Sequence, residues 1–228
     1  MSEKNLDKKV SMAINSALKP LVQEAYVTVP KKFSLKTEKL SEKVKRSRID
    51  HFEKTVAALK KISAQLDGAD PAAIENNISS NFRNLKLAES FAINDAFLQA
   101  AFLENINDLN SSISMDMLCY MRLARDFGDF DSWQKNFIGC AKSSRNGYVV
   151  TAYCIYLKRY INFVVDDASA GIPFASIPVV VLDVGKGCYT RDYLDDLESY
   201  VKNMMREFNW EEIEERFKKA EKIARIYG

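Results

Sequence analysis

The chain has 228 residues, of which 47% are hydrophobic and 11% aromatic, and its formal net charge is +2. This length allows one large domain or two small ones with a real core, and the hydrophobic content argues against global disorder. No window of about 18 uncharged apolar residues occurs, which argues against a membrane-spanning helix. The single histidine, His51, excludes a histidine-rich metal site.

Positive charge is concentrated at the start of the chain. Residues 1–50 carry 12 Lys and Arg against 6 Asp and Glu, a net +6, so the remaining residues carry −4. A basic segment on a near-neutral body suits contact with a phosphate backbone or an acidic protein, and the alternative is a solvated leader. The densest cluster predicts RNA or partner contacts, although such clusters also form solvated helix faces; its members are Lys43, Lys45, Arg46 and Arg48.

Cysteine usage and the first residues bear on the compartment. No Cys-x-x-Cys pair occurs, and three of the four cysteines have apolar neighbours, which predicts reduced, packed thiols in a reducing or mitochondrial interior. The first 20 residues lack a secretory apolar region, and Glu3 and Asp7 are atypical of a cleaved mitochondrial leader. The four cysteines are Cys119, Cys140, Cys154 and Cys188.

The first half of the chain is predicted to be helical. Apolar residues recur at helical spacing, and the cluster Asp67–Pro71 breaks the longest early run. The mostly polar stretch 105–114 predicts a link between two halves. The elements expected before that link are a weakly amphipathic helix over 1–30 that becomes extended towards Pro30, and helices over 38–66, 71–76 and 85–103.

The second half mixes helices with strands. Val, Tyr, Ile and Phe are dense over 148–165, which predicts two strands of a hairpin with a turn at Lys158-Arg159. The other expected elements are a helix over 130–142 capped by Asp129, a strand over 179–184, a helix over 192–208 and a last helix capped by Asn209.

The predicted fold class is therefore α+β. After an N-terminal extension over 1–36, a helical hairpin domain is expected over 37–108. A C-terminal α+β domain with a three-stranded antiparallel sheet is expected over 115–228.

Two carboxylates occupy positions that the pattern marks as buried. Asp95 falls on the apolar stripe of its helix, one turn from Phe91 and from Leu98. Asp183 ends the apolar run that starts at Ile177, and Gly-Lys-Gly follows shortly after it. A buried charge must be paired or coordinated, so both positions are candidates for a site.

The run that contains Asp183 resembles the C-terminal metal motif of the iron/manganese superoxide dismutases, Asp-Val-Trp-Glu-His-Ala-Tyr. The Asp and His of that motif bind the metal; Asp183 matches the Asp, and Gly187 stands at the His. Spaced matches in the same order support the resemblance, which implies the fold of that family. They are Asp126–Phe130, Gly147-Tyr148, Ala170–Phe174, Asp192-Tyr193 and Asn209-Trp210.

The first half resembles the same family more faintly. Asn94–Phe97 is similar to its Asn-His-Thr-Phe, which places Asp95 at a ligand position. The segment 47–52 aligns with its His-x-x-x-His-His, which places Ser47 at a ligand position and His51 at a non-ligand one. The family's chemistry needs three imidazoles and one carboxylate. Because Ser47, Asp95 and Gly187 replace the three histidines, the resemblance implies a site without metal or other cofactor, and we expect the chain not to be an enzyme.

Two interpretations of Asp95 and Asp183 remain open at this point. If they face each other, a hard cation such as Mg²⁺ or Ca²⁺ would be held between them, although such ions want about six or more oxygens in all. Alternatively, each carboxylate accepts hydrogen bonds from backbone amides or hydroxyls. An enzyme that uses a different cation is the corresponding functional alternative.

The resemblance also implies a function. Superoxide dismutase-like proteins without an intact metal site occur as structural subunits of the mitochondrial small ribosomal subunit, and the chain resembles that group. We expect a non-catalytic structural subunit of that particle in the mitochondrial matrix. The alternative is an accessory structural subunit of another large mitochondrial assembly, such as a respiratory complex.

Expected partners follow from the same resemblance. They are other proteins of the assembly, a superoxide dismutase-like paralogue as heterodimer, and rRNA. In the family's dimer, the Glu of Trp-Glu-His grips the partner's ligand His, and Lys186 replaces that Glu here. Lys186 is therefore expected either to meet an acidic group on a different partner or to lie solvated in a turn.

Overall fold

The computed structural model describes residues 32–72, 80–108, 111–168 and 171–227. Over these residues the chain forms seven α-helices and three β-strands, in the order α1–α4, β1–β3, α5–α7. The helices are α1 Glu42–Asp67, α2 Asn81–Asn105, α3 Leu118–Phe127, α4 Phe130–Ser143, α5 Lys186–Tyr193, α6 Leu197–Arg206 and α7 Trp210–Tyr227; the strands are β1 Tyr148–Cys154, β2 Arg159–Val165 and β3 Ser176–Asp183.

The helical hairpin consists of α1 and α2, which pack against each other. Each begins at a serine whose hydroxyl accepts a backbone N–H from the first turn: Ser41 accepts from Val44 N, and Ser80 from Arg83 N. Such caps satisfy amide groups that have no partner within the helix. The inner face of the hairpin is not purely apolar, because Thr55 of α1 and Asp95 and Gln99 of α2 are also buried.

The three strands form one antiparallel sheet with the order β2-β1-β3. Strand β1 is central and carries mostly buried side chains, and the last five residues of β3 are buried. In the register of β1 with β3, Tyr148 lies opposite Asp183. The first residue of β1 and the last residue of β3 therefore lie side by side at one end of the strands, next to the hairpin.

An arginine of the last helix joins the hairpin to the sheet. Arg216 of α7 donates to the carbonyl of Ala101 (3.0 Å), to Glu104 (2.7 Å) and to the Asn105 amide oxygen (2.5 Å) at the C-terminal end of α2. Asn105 in turn donates to the Val181 carbonyl of β3 at 2.7 Å. These bonds fix α2 against α7 and β3.

Most predicted elements are confirmed, with shifted ends. The α+β class, the long helices of the front half, the Asp129 cap and the three strands are all present. The weakly amphipathic helix and extended piece expected over 1–30 and most of the short helix over 71–76 lie outside the described residues. The division into domains at 36, 108 and 115 stays a prediction.

Two helices, α3 and α5, arise where no helix was predicted. Two local predictions are wrong. The helix expected over 192–208 is shorter, because α6 starts only at Leu197, after a break at Leu194, whose φ is 54°. The turn of the hairpin ends at Lys158, with φ of 53°, and Arg159 already belongs to β2. Positive φ is unfavourable for side chains of this kind, so the sequence carries no signal for either position. Within the described ranges, no helix is long and apolar enough to cross a membrane.

Candidate functional site

Four elements bring the sequence-predicted positions to one place. Helix α1 contributes Arg48 and His51, α2 contributes Asp95, β3 ends at Asp183, and α5 begins beside Gly187. A cavity of about 430 Å³ is lined by these five residues together with Tyr148 and others. Ser47 lies exposed on α1 and lines an adjoining outer groove, which shares Arg48 and His51 with this cavity. The hydroxyl predicted at a ligand position is therefore not part of the cavity lining.

Asp183 is buried and paired with an arginine from the hairpin. Its Oδ1 accepts the Gly185 backbone N–H at 2.8 Å, and its Oδ2 accepts from Arg48 Nη1 at 3.2 Å. Its side chain is 6% exposed, against 17% for that of Arg48. Burial raises the pKa of Asp183, while the adjacent guanidinium and the Gly185 amide oppose that rise. The pair joins positions 135 residues apart in the chain, so the prediction that Arg48 lies on a contact surface does not describe its main partner.

Asp95 has a different set of partners, which are mostly neutral. Its Oδ1 accepts from the Tyr148 hydroxyl at 2.9 Å, and its Oδ2 accepts from Thr55 Oγ1 at 3.1 Å and from Gln99 Nε2 at 2.5 Å. His51 Nε2 lies 3.7 Å from the same Oδ2, and its side chain is 47% exposed. Burial raises the pKa of the Tyr148 hydroxyl, so it stays protonated and donates to Asp95 at all working pH values. Of the two interpretations left open above, the hydrogen-bonded one describes Asp95. Asp183 accepts one backbone amide as that interpretation expects, but it also pairs with Arg48, which neither interpretation included.

Replacing Tyr148 by phenylalanine is expected to lower the free energy of unfolding by about 1–2 kcal/mol, because Asp95 Oδ1 loses its donor inside the protein. Urea unfolding followed by circular dichroism measures this. The matched control is Tyr156→Phe at an 86% exposed ring, for which a change within about 0.5 kcal/mol is expected. Equal values for the two variants would contradict the assigned role of the hydroxyl.

The residues at this place do not fit an iron or manganese ion of the kind that the resemblance implies. Gly187 offers no side chain, Ser47 lies outside the cavity, and the oxygens of both aspartates are engaged by protein donors. In the part of the chain that the structure describes, no group of three or more His, Cys, Asp or Glu side chains is arranged to hold a metal.

Two of the five predicted contact residues face inward. Lys45 is buried and pairs with Glu42 at 2.8 Å, and Arg48 pairs with Asp183. Their assignment to an RNA-contacting surface is corrected accordingly. Lys43, Arg46 and Lys186 are exposed.

Sequence reasoning also missed partners of the site. The partners of Asp95 that the sequence did not predict are Tyr148, Thr55 and Gln99. Gln99 lies four residues after Asp95 on α2, a spacing at which helical side chains meet. That spacing was the available signal.

Comparison with known proteins gives matches to one family. Residues 118–216 match the model of the C-terminal domain of iron/manganese superoxide dismutases. The Mn superoxide dismutase 1 of Halobacterium salinarum is 32% identical over 99 residues, which are 43% of this chain and 49% of that protein. The chain thus spans about half the length of the first relatives it matches.

Two other relatives align over more of the chain. The Fe superoxide dismutase of Cupriavidus metallidurans is 27% identical over 184 residues, covering 79% of this chain and 90% of the relative. The Mn superoxide dismutase of Haloarcula marismortui is 24% identical over 158 residues, covering 68% and 77%.

The comparisons correct one prediction. The chain was expected not to be an enzyme because three histidine positions hold Ser47, Asp95 and Gly187. Its relatives are named superoxide dismutases, which are enzymes, and replacements read from sequence do not by themselves establish that catalysis is lost. That prediction is therefore wrong.

Proposed function

We propose that the chain, which is similar to the iron/manganese superoxide dismutases over residues 118–216, serves as a structural subunit of a large mitochondrial assembly, in the first place the small subunit of the mitochondrial ribosome. The proposed location is the matrix. The proposed partners are neighbouring proteins, including a superoxide dismutase-like paralogue as heterodimer, and rRNA. Because its relatives are named superoxide dismutases, the purified chain is also assayed for dismutase activity.

The observation that carries the proposal is an exposed basic surface at the start of the hairpin. Lys43 and Arg46 lie exposed on α1, and Lys186 lies exposed at the start of α5, which packs against α1. These three residues are the basic surface. Neither Lys43 nor Arg46 forms an ion pair in the described part of the chain that would neutralise it. Lysine and arginine side chains of this kind bind phosphates in a salt-dependent manner.

The interior of the site supports the same role. The pair of Arg48 and Asp183 and the bonds of Asp95 join α1, α2, β1 and β3. Side chains on the facing elements are thereby fixed to one another. A rigid body that presents a basic surface is suited to a structural role at an rRNA backbone.

Sedimentation of the full chain from organelle lysate tests the proposal. A tagged chain in its native cells is expected to purify with mitochondria, to sediment with small-subunit rRNA at low salt and to leave it at high salt. Absence from mitochondria, or sedimentation as a free protein at low salt, would overturn it.

A charge-reversed variant tests the basic surface itself. Lys43→Glu, Arg46→Glu and Lys186→Glu together are expected to release the chain from the particle at lower salt. The control reverses three exposed lysines elsewhere: Lys60→Glu, Lys61→Glu and Lys222→Glu. If both triple variants dissociate alike, the basic surface has no specific role.

The modest net charge of +2 favours a second candidate, an accessory subunit of a respiratory complex, because proteins that contact rRNA are usually more basic. In that case the chain would migrate with membrane complexes after detergent extraction, and ribonuclease treatment would not change its sedimentation. Ribonuclease treatment of the same lysate before sedimentation distinguishes the two candidates.

A further inference from the structure

Arg48 reaches from the hairpin into the site. Its side chain is mostly buried, with Nη1 3.2 Å from Asp183 Oδ2 and Nη2 3.4 Å from Ser47 Oγ. A carboxylate as deep as that of Asp183 needs a compensating positive charge. Among the described residues, the ion-pair partner of Asp183 is Arg48.

Gly187 leaves room for that guanidinium. A Cβ atom built on Gly187 would lie 3.1 Å from Arg48 Nη2, 3.7 Å from Cζ and 3.8 Å from Nη1. The first distance is closer than side-chain carbons normally tolerate, so even alanine would push the guanidinium, and a larger side chain would displace it. Gly187 has no left-handed backbone conformation to require glycine. Space for the guanidinium is thus the reason that the structure offers for glycine at this position.

The second carboxylate does not compete for the arginine. Asp95 is engaged by the neutral groups of Tyr148, Thr55 and Gln99. Each aspartate therefore has its own partners, and the positive charge beside Asp183 comes from the protein itself.

We propose that Arg48 is the built-in cation of this site: its guanidinium occupies the place beside Asp183 that the family resemblance assigns to a metal ion, and glycine at 187 is what admits it. The two residues then form one unit, in which the absence of a side chain at 187 and the inward arginine at 48 depend on each other. This inference rests on the geometry of the site and not on the proposed mitochondrial role.

A thermodynamic cycle between positions 48 and 187 tests the inference. With Arg48 present, Gly187→Ala is expected to lower the Tm of the full chain, because the new methyl group lies 3.1 Å from Nη2 and forces the guanidinium, held by Asp183, to shift by a few tenths of an ångström. In the Arg48→Ala background the same change is expected to raise the Tm, because alanine favours the helix over glycine and its methyl group meets open space. The sign of the effect is thus reversed by residue 48.

The control is Gly139→Ala in α4, where nothing lies within 4 Å of the added carbon. It is expected to raise the Tm in both backgrounds. A Gly187→Ala effect of the same sign in both backgrounds would overturn the inference. If Arg48→Ala does not fold, the single variant still decides: a rise in Tm like that of Gly139→Ala overturns the inference, and a fall supports it.

A second comparison separates charge from packing. Arg48→Lys keeps the positive charge and Arg48→Met removes it, while both keep an unbranched stem. The lysine variant is expected to have the higher Tm in the native chain, and this advantage should vanish when Asp183→Asn is added. A methionine variant as stable as the lysine variant in the native chain would overturn the role of Arg48 as a cation.

Discussion

Replacing Arg48 by methionine is expected to lower the free energy of unfolding by about 3 kcal/mol, because it leaves the carboxylate of Asp183 buried without its positive partner. Replacing Asp183 by asparagine is expected to cost a similar amount, since the largely buried guanidinium then has no anion. Both variants are measured by urea unfolding of the full chain at neutral pH, with the slope of the transition checked against that of the native protein.

The double variant Arg48→Met with Asp183→Asn is expected to lie within about 1–2 kcal/mol of the native chain, because neither charge remains to be compensated. A loss equal to the sum of the two single losses would show that the residues act independently and would contradict the pairing. Lys142→Met with Glu198→Gln, which removes an ion pair with both side chains about half exposed, serves as the matched control. All three of its variants are expected to change stability by about 1 kcal/mol or less.

Replacing Arg216 by methionine is expected to destabilise the chain by about 3 kcal/mol. The side chain is 10% exposed and serves Glu104, Asn105 and the Ala101 carbonyl at once. Its loss removes a charged donor from the buried Asn105 and from Glu104 at the end of α2, and a lost charged hydrogen bond is costly where water is excluded. Methionine keeps most of the apolar stem, so the loss reports mainly on the guanidinium.

The control for Arg216 lies on the same helix. Lys218 is 53% exposed and pairs with Glu215 at the surface, so Lys218→Met is expected to change the free energy of unfolding by less than about 0.5 kcal/mol. If Arg216→Met proves as mild as Lys218→Met, the attachment of the hairpin to the sheet must depend on apolar packing alone.

The architecture could be predicted from the sequence because the spacing of its hydrophobic residues changes along the chain. Helical spacing before residue 105, and dense β-branched and aromatic residues over 148–165, predicted the α+β class. Helix α5 was missed because it starts at Lys186-Gly187, and glycine is a poor helix former. The break at Leu194 depends on a backbone conformation that leucine rarely adopts, and no local pattern predicts it.

The site was only partly accessible, for a different physical reason. Asp95 and Asp183 were identified because a carboxylate within an apolar run is visible locally. The partner of Asp183 was not, because Arg48 stands among other cations, and a pairing over 135 residues leaves no trace in spacing. The same holds for Lys45, whose neighbours gave no sign that it alone of the adjacent lysines faces inward.

The central claim is that Asp183 is neutralised by the protein's own arginine. Anomalous diffraction at the iron and manganese edges, from crystals of the full chain produced with both metals supplied, tests it most directly. The account predicts density for the Arg48 guanidinium between Asp183 and Gly187 and no anomalous peak there. A peak of either metal beside Asp183, with Arg48 turned out towards solvent, would contradict it.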